Sequence, residues 1–112
     1  MSLNKLIRDT LSPLGVPVAF ANYNQTADTY IVFIEYNQAP RLNADDQEVI
    51  TKHFFQVDIF SKGNYLQLVE DVKERMKQAG FSRMFESETY EEEMKMFRKI
   101  LRFNYDTKIR EE

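Results

Sequence analysis

The stretch from His53 to Gly80, HFFQVDIFSKGNYLQLVEDVKERMKQAG, decides the fold. From His53 to Phe60 the side chains alternate. Phe55, Val57 and Ile59 fall on one face and Phe54, Gln56, Asp58 and Phe60 on the other, the period of two of a strand with one fully apolar side. Ser61-Lys62-Gly63 breaks the pattern. Asn64 then suits an N-cap, with Gln67 at the spacing of a capping box. Tyr65, Leu68, Val69, Val72, Met76 and Ala79 recur at helical spacing, while Glu70, Asp71, Lys73, Glu74 and Lys77 occupy the opposite face. Gly80 ends the helix, because glycine adopts the left-handed conformation beyond a helix C-terminus at little steric cost. A strand is thus followed at once by an amphipathic helix.

Working outward, Ser2 to Leu14 reads as a first helix, with Leu3, Leu6, Ile7, Leu11 and Leu14 as its apolar stripe and Pro13 and Gly15 at its end. Pro17 to Phe20 is a short extended segment, and Asn22 to Asp28 is polar and turn-rich. Thr29 to Tyr36 (TYIVFIEY) is apolar on both faces, as a strand inside a sheet is. Residues 37–47 (NQAPRLNADDQ) have no periodicity, contain Pro40 and exceed the usual connection length, so they read as a long polar loop. Glu48 to Thr51 extend the following strand into a hairpin arm. After the second helix, Phe81 to Glu86 is a short strand and Glu86 to Glu93 an acidic connection. Met96 to Tyr105 is the last strand, with Phe97, Lys99, Leu101, Phe103 and Tyr105 on one face and Arg98, Ile100, Arg102 and Asn104 on the other. Residues 106–112 read as a frayed charged tail. The order α-β-β-β-α-β-β predicts an α+β fold, a mostly antiparallel sheet with two helices packed on one face.

Composition sets the functional bounds. A chain of 112 residues fits a single domain with one modest core. A net charge of −3 supplies no basic surface for sequence recognition of nucleic acid. With no cysteine there is neither a disulfide nor a thiolate metal site. No apolar run approaches the roughly 20 residues of a membrane span, so no membrane partner is expected. The nine Phe and six Tyr serve cores and interfaces alike.

The residues offer little chemistry. His53 is the one histidine, with no carboxylate at a telling spacing, and reads as structural. The acidic run Glu86, Glu88, Glu91, Glu92 and Glu93 lacks the loop spacing of a calcium site and reads as a solvated or subunit-pairing face. Asp45-Asp46 reads as a polar loop tip. Asp58 has two readings that period alone leaves open, an exposed strand carboxylate or a buried one paired with Arg98 or Arg102. The three glycines are dispersed at turns, with no phosphate loop. Met76, Met84, Met94 and Met96 are core or interface filler. Arg98, Lys99 and Arg102 alternate with aromatic residues as in nucleic-acid platforms, but neighbouring acids cancel their charge. No catalytic residue, cofactor or metal is assigned, and the chain reads as a non-enzyme.

Several segments taken in order carry a resemblance. Tyr30 to Tyr36, the pair Ala44-Asp45, the Val57-Asp58-Ile59 core, the helix ending in Ala79-Gly80-Phe81, Tyr90-Glu91 and finally Arg102-Phe103 resemble the tail-completion proteins of long-tailed bacteriophages and prophages. That family includes lambda-type tail terminators and tail-to-head joining proteins. The chain departs from it in having Phe97 and Arg98 where a histidine is common. The resemblance implies a structural assembly protein that forms a ring, usually of six subunits, caps the tail tube and offers a docking surface to the head. It implies as partners further copies of itself, the tail tube protein and a head-completion protein. The implied location is the bacterial host cytoplasm during assembly and then the virion. On this reading the interaction loop comprises Asn37, Pro40, Arg41, Asn43, Asp45 and Asp46, and the subunit contacts Glu91, Glu92, Glu93, Arg98 and Arg102. The alternatives are another head–tail connector of the head-closure type, a minor tail component or, more remotely, a small cytoplasmic α+β ligand-binding or enzymatic domain.

Overall fold

A computed structural model describes residues 2–44 and 47–108. The chain runs α1 (Leu3–Leu11), a 3-10 turn (Ser12–Leu14), β1 (Val18–Phe20), β2 (Thr29–Ala44), β3 (Gln47–Ser61), α2 (Leu66–Gln78), β4 (Ser82–Glu91) and β5 (Met96–Lys108). The strands form one sheet in the order β1-β2-β3-β5-β4, with β1 parallel to β2 and every other pair antiparallel. The predicted α+β order is therefore the observed one.

Both helices cover the same face of this sheet. Ile7 and Leu11 of α1 and Val69, Val72 and Met76 of α2 meet Ile31 and Phe33 of β2, Phe55, Val57 and Ile59 of β3, and Leu101 and Phe103 of β5 in one core. The odd-numbered residues of β3 and β5 thus point to the helices, as the alternation required. The helices are joined through Arg75, whose Nε donates to the Thr10 carbonyl at 2.6 Å. Ser2 caps α1 by accepting from the Lys5 amide. The first helix is shorter than predicted, because the chain tightens into the 3-10 turn at Ser12-Pro13 and leaves it at Gly15, φ 84°. At α2 the capping box does not form. Asn64 Oδ1 accepts from the Leu66 amide at 3.0 Å as a local turn, and Gln67 instead donates along the helix to Asp71.

Three expectations need correction. The stretch 37–47 is not a long loop: β2 continues to Ala44, and β3 begins at Gln47, with pairs from Asn37↔Phe54 to Ala44↔Gln47. Its lack of alternation reflects register shifts at Glu35/Asn37, Pro40/Leu42 and Leu42/Asn43, which disturb the period of two. Pro40 is tolerated because β1 pairs with β2 only as far as Phe33, beyond which β2 is an edge. The acidic connection from Glu86 is also strand, since β4 runs to Glu91 and pairs with β5 throughout. Finally, residues 106–108 are not frayed: β5 holds them against Ile50, Thr51 and Lys52. Asp45, Asp46 and residues 109–112 lie outside the described residues. The result is an elongated molecule, 52 by 25 by 24 Å, with a body under the helices and an arm formed by β2 and β3.

Candidate functional site

The face of the sheet opposite the helices carries most of the distinctive side chains. At one end Tyr23 stacks on Tyr30 at 4.3 Å between ring centres, Tyr30 on Phe60 at 4.9 Å, and Arg98 lies over Phe60 at 5.4 Å. Beside this stack Asp58 is only 7% exposed. It accepts from Arg98 Nη2 at 2.6 Å and Nε at 3.2 Å, and from Gln56 Nε2 at 3.1 Å. The open choice for Asp58 is thereby resolved as a buried carboxylate paired with Arg98. Arg98 also approaches Glu91 at 3.8 Å, so both of its acidic neighbours are intramolecular.

One register step further along, Ile34, Gln56, Arg102 and Phe85 face each other across four strands. Arg102 Nε donates to Gln56 Oε1 at 3.0 Å. Its guanidinium lies 5.1 Å from the Tyr36 ring centre and 5.3 Å from that of Phe85. Ile34, Tyr36 and Phe85 are all exposed. Tyr36 is the residue skipped at the β2 register shift, so its place beside Arg102 depends on a bulge that no local motif marks.

The arm is secured at its base. His53 Nδ1 lies 2.6 Å from Glu35 Oε2 and Nε2 lies 2.9 Å from Thr107 Oγ1, which ties β2, β3 and β5 together. An acid, an imidazole and a hydroxyl in series have the connectivity of a nucleophilic system. A recess of about 640 Å³ lined by residues such as Leu14, Val16, Tyr65 and Leu66 includes none of the three. What the contacts do in the fold is brace three strands against one another. Sequence spacing could not reveal this link, because Glu35 and Thr107 reach His53 through strand register. Asp106 lies 3.5 Å from both Arg41 and Lys52, adding a charged clasp nearby. Of the predicted loop residues, Asn37, Pro40 and Arg41 lie on the arm, the backbone of Asn43 lies opposite that of Glu48, and Asp45 and Asp46 lie outside the described residues.

The acidic run divides into two parts. Glu86 lies 2.9 Å from Lys99 and 3.0 Å from Lys73, and also pairs with Arg83. Hydrogen bonds from Lys99 and then Lys73 hold its carboxyl down to about 2. Glu88 accepts from the Tyr65 hydroxyl at 2.8 Å. Burial, followed by that bond, keeps the Tyr65 phenol well above the ordinary tyrosine range, so it remains a neutral donor. These acids belong to the fold. Glu92 and Glu93 instead stand exposed in the turn between β4 and β5. Among the described residues no group of three acidic, histidine or cysteine side chains is placed to hold a metal ion. No described helix is long and apolar enough to cross a membrane.

No family model matches the chain, and no curated protein does. A solved structure does. It is a chain in the virion of a native gene transfer agent particle, matched with a TM-score of 0.62 over 96% of this chain and 92% of that one. At 14% identity the likeness is one of fold. It extends over nearly the whole of both chains.

Proposed function

We propose that the protein is a structural component of a virion and, within that class, a tail-completion protein. Copies assemble into a ring on the end of the tail tube and present a surface on which the head docks. The observation that carries this reading is the near full-length fold likeness to a chain of a virion particle. The ordered motifs from Tyr30 to Phe103 add to it, and so does a body-plus-arm shape in which a braced hairpin projects from a small core.

The division of labour follows from what each region leaves unsatisfied. From Ile34 onward the outer edge of β2 has no strand partner among the described residues, and β4 is the opposite edge of the sheet. Open edges on both sides of one sheet favour contacts between unlike surfaces, which close into rings when the rotation allows. The arm, carrying Asn37, Pro40 and Arg41, is the element that reaches the tube. The protein acts by binding and needs neither cofactor nor catalytic group. Co-sedimentation with purified tail tubes and, separately, with tail-less heads tests the assignment. Saturable binding to tubes supports tail completion. Binding to heads alone redirects it to head closure.

A further inference from the structure

We propose that Arg102, held between Tyr36 and Phe85 on the uncovered face of the sheet, receives the Glu92–Glu93 turn of a second copy of this chain. The proposal rests on the reading that copies of the chain associate, and it names the contact.

The two arginines of the uncovered face differ in what they leave open. Arg98 is neutralised by Asp58 at 2.6 Å and backed by Glu91. Arg102 has a single hydrogen bond, from Nε to a neutral amide, and no carboxylate partner among the described residues. Two aromatic rings and Gln56 hold its guanidinium, so its terminal nitrogens are presented in a fixed orientation. A planar fork of this kind matches a carboxylate. Exposed Tyr36 and Phe85 frame it, and exposed Ile34 lies in the same cross-strand row. Arginine set among exposed aromatic residues has the composition of an interface anchor.

The complementary surface lies elsewhere on the same chain. Glu92 and Glu93 make no ion pair among the described residues, and their turn is closed by the Lys95 amide on the Glu92 carbonyl, with Lys95 at φ 55°. Exposed Tyr90, Met94 and Phe97 flank it, and Tyr90 meets Phe97 edge-on at 5.1 Å. Six of the nine large hydrophobic residues exposed among the described residues thus belong to these two patches, one cationic and one anionic.

Within one molecule the patches cannot meet. The seven residues from Met96 to Arg102 are extended strand, so the turn stands roughly 20 Å along the strand from Arg102. Phe97 also shares the helix-side face, near Tyr65 at 6.3 Å, whereas Arg102 lies on the other. Two unlike patches on opposite faces meet head-to-tail between copies, the geometry that builds rings.

The chain has no cysteine, which makes directed cross-linking clean. Tagged Met94→Cys protein is mixed under mild oxidation with untagged Ser87→Cys protein, both free and with purified tail tubes. Ser87 is exposed, two residues along β4 from Phe85 and opposite Ile100. The control replaces Ser87→Cys by Gln78→Cys on α2. The mixed disulfide between the Met94→Cys and Ser87→Cys proteins is expected to exceed the control about tenfold in at least one condition, and Arg102→Glu to reduce it by a similar factor. Glu92→Arg with Glu93→Arg in the Met94→Cys partner should restore it, with thermal melts confirming that each variant folds. A mixed product at control level in both conditions, or one indifferent to Arg102→Glu, overturns the proposal. Loss of tube binding in Arg102→Glu without any specific cross-link also overturns it, by assigning the arginine to an acidic surface of the tube. A charge-swappable cross-link in a protein that ignores tubes leaves the self-contact standing and removes the tail assignment.

Discussion

Asp58→Ala should destabilise the protein by about 2 kcal/mol. Asp58 lies across from Val32 and Ile100 in the sheet and is 7% exposed, so its charge depends on Arg98 and Gln56 rather than water. Removing one partner of a buried ion pair costs roughly 3–5 kcal/mol, whereas an exposed pair is worth less than about 1. This pair lies between those limits. The Arg98 side chain is 29% exposed, retains Glu91 at 3.8 Å and still rests on Phe60, so the stranded guanidinium is partly relieved. With an unfolding entropy of about 2.1 cal/mol/K per residue, a chain of 112 residues should lose about 8 °C in Tm. Calorimetry checks this, and a double-mutant cycle with Arg98→Met isolates the pair at a coupling of about 1 kcal/mol or more. Asp58→Val with Arg98→Met should recover much of the loss, since no charge is then left unpaired. A Tm change under about 2 °C for Asp58→Ala, or additive single mutants, would mean that Asp58 and Arg98 are not a coupled buried pair.

Other predictions concern the helix side, the turn after α2 and the arm. Glu86 has a carboxyl held at about 2, below its unfolded value of about 4.3, so its contribution is complete above that value and is lost as pH falls toward 2. Urea midpoints should fall less steeply over that acid range in Glu86→Gln than in the parent, and parallel curves would reject the assignment. Gly80→Ala should cost roughly 1–2 kcal/mol, because φ is +102° and the new Cβ would stand 3.2 Å from the Tyr105 ring. Chemical denaturation measures it, and an unchanged midpoint would count against the strain. Replacing residues 40–51 by Asn-Gly shortens the arm to a tight hairpin. The core residues should stay buried and the protein folded by circular dichroism, while tube co-sedimentation should fall about tenfold or more.

The fold was legible where one chemical signal dominated. Phe55, Val57 and Ile59 alternate cleanly, and Val69, Val72 and Met76 recur at helical spacing, so β3 and α2 could be read directly, and all six are buried. The arm could not, because register shifts around Asn37 and Pro40 break the period of two and polar residues mimic a loop. Glu86 and Glu88 were hidden for a different reason. Their acidic neighbours suggested a solvated connection, yet Lys73, Lys99 and Tyr65 come from other elements to pair with them. The same held for the candidate contacts. Arg98 and Arg102 lie on one face of the same strand, and only the register shows that Asp58 claims the first while Tyr36 and Phe85 frame the second. Long-range pairing, not local composition, decides which charges remain available for a partner.

Completion of a tail is the role proposed for the chain. Its most direct test is electron microscopy of purified tail tubes incubated with the full chain. A ring of added density at one end of each tube, lost when the arm is shortened, is the expected result. Bare tube ends at saturating protein, or density spread along the tube wall, would contradict it.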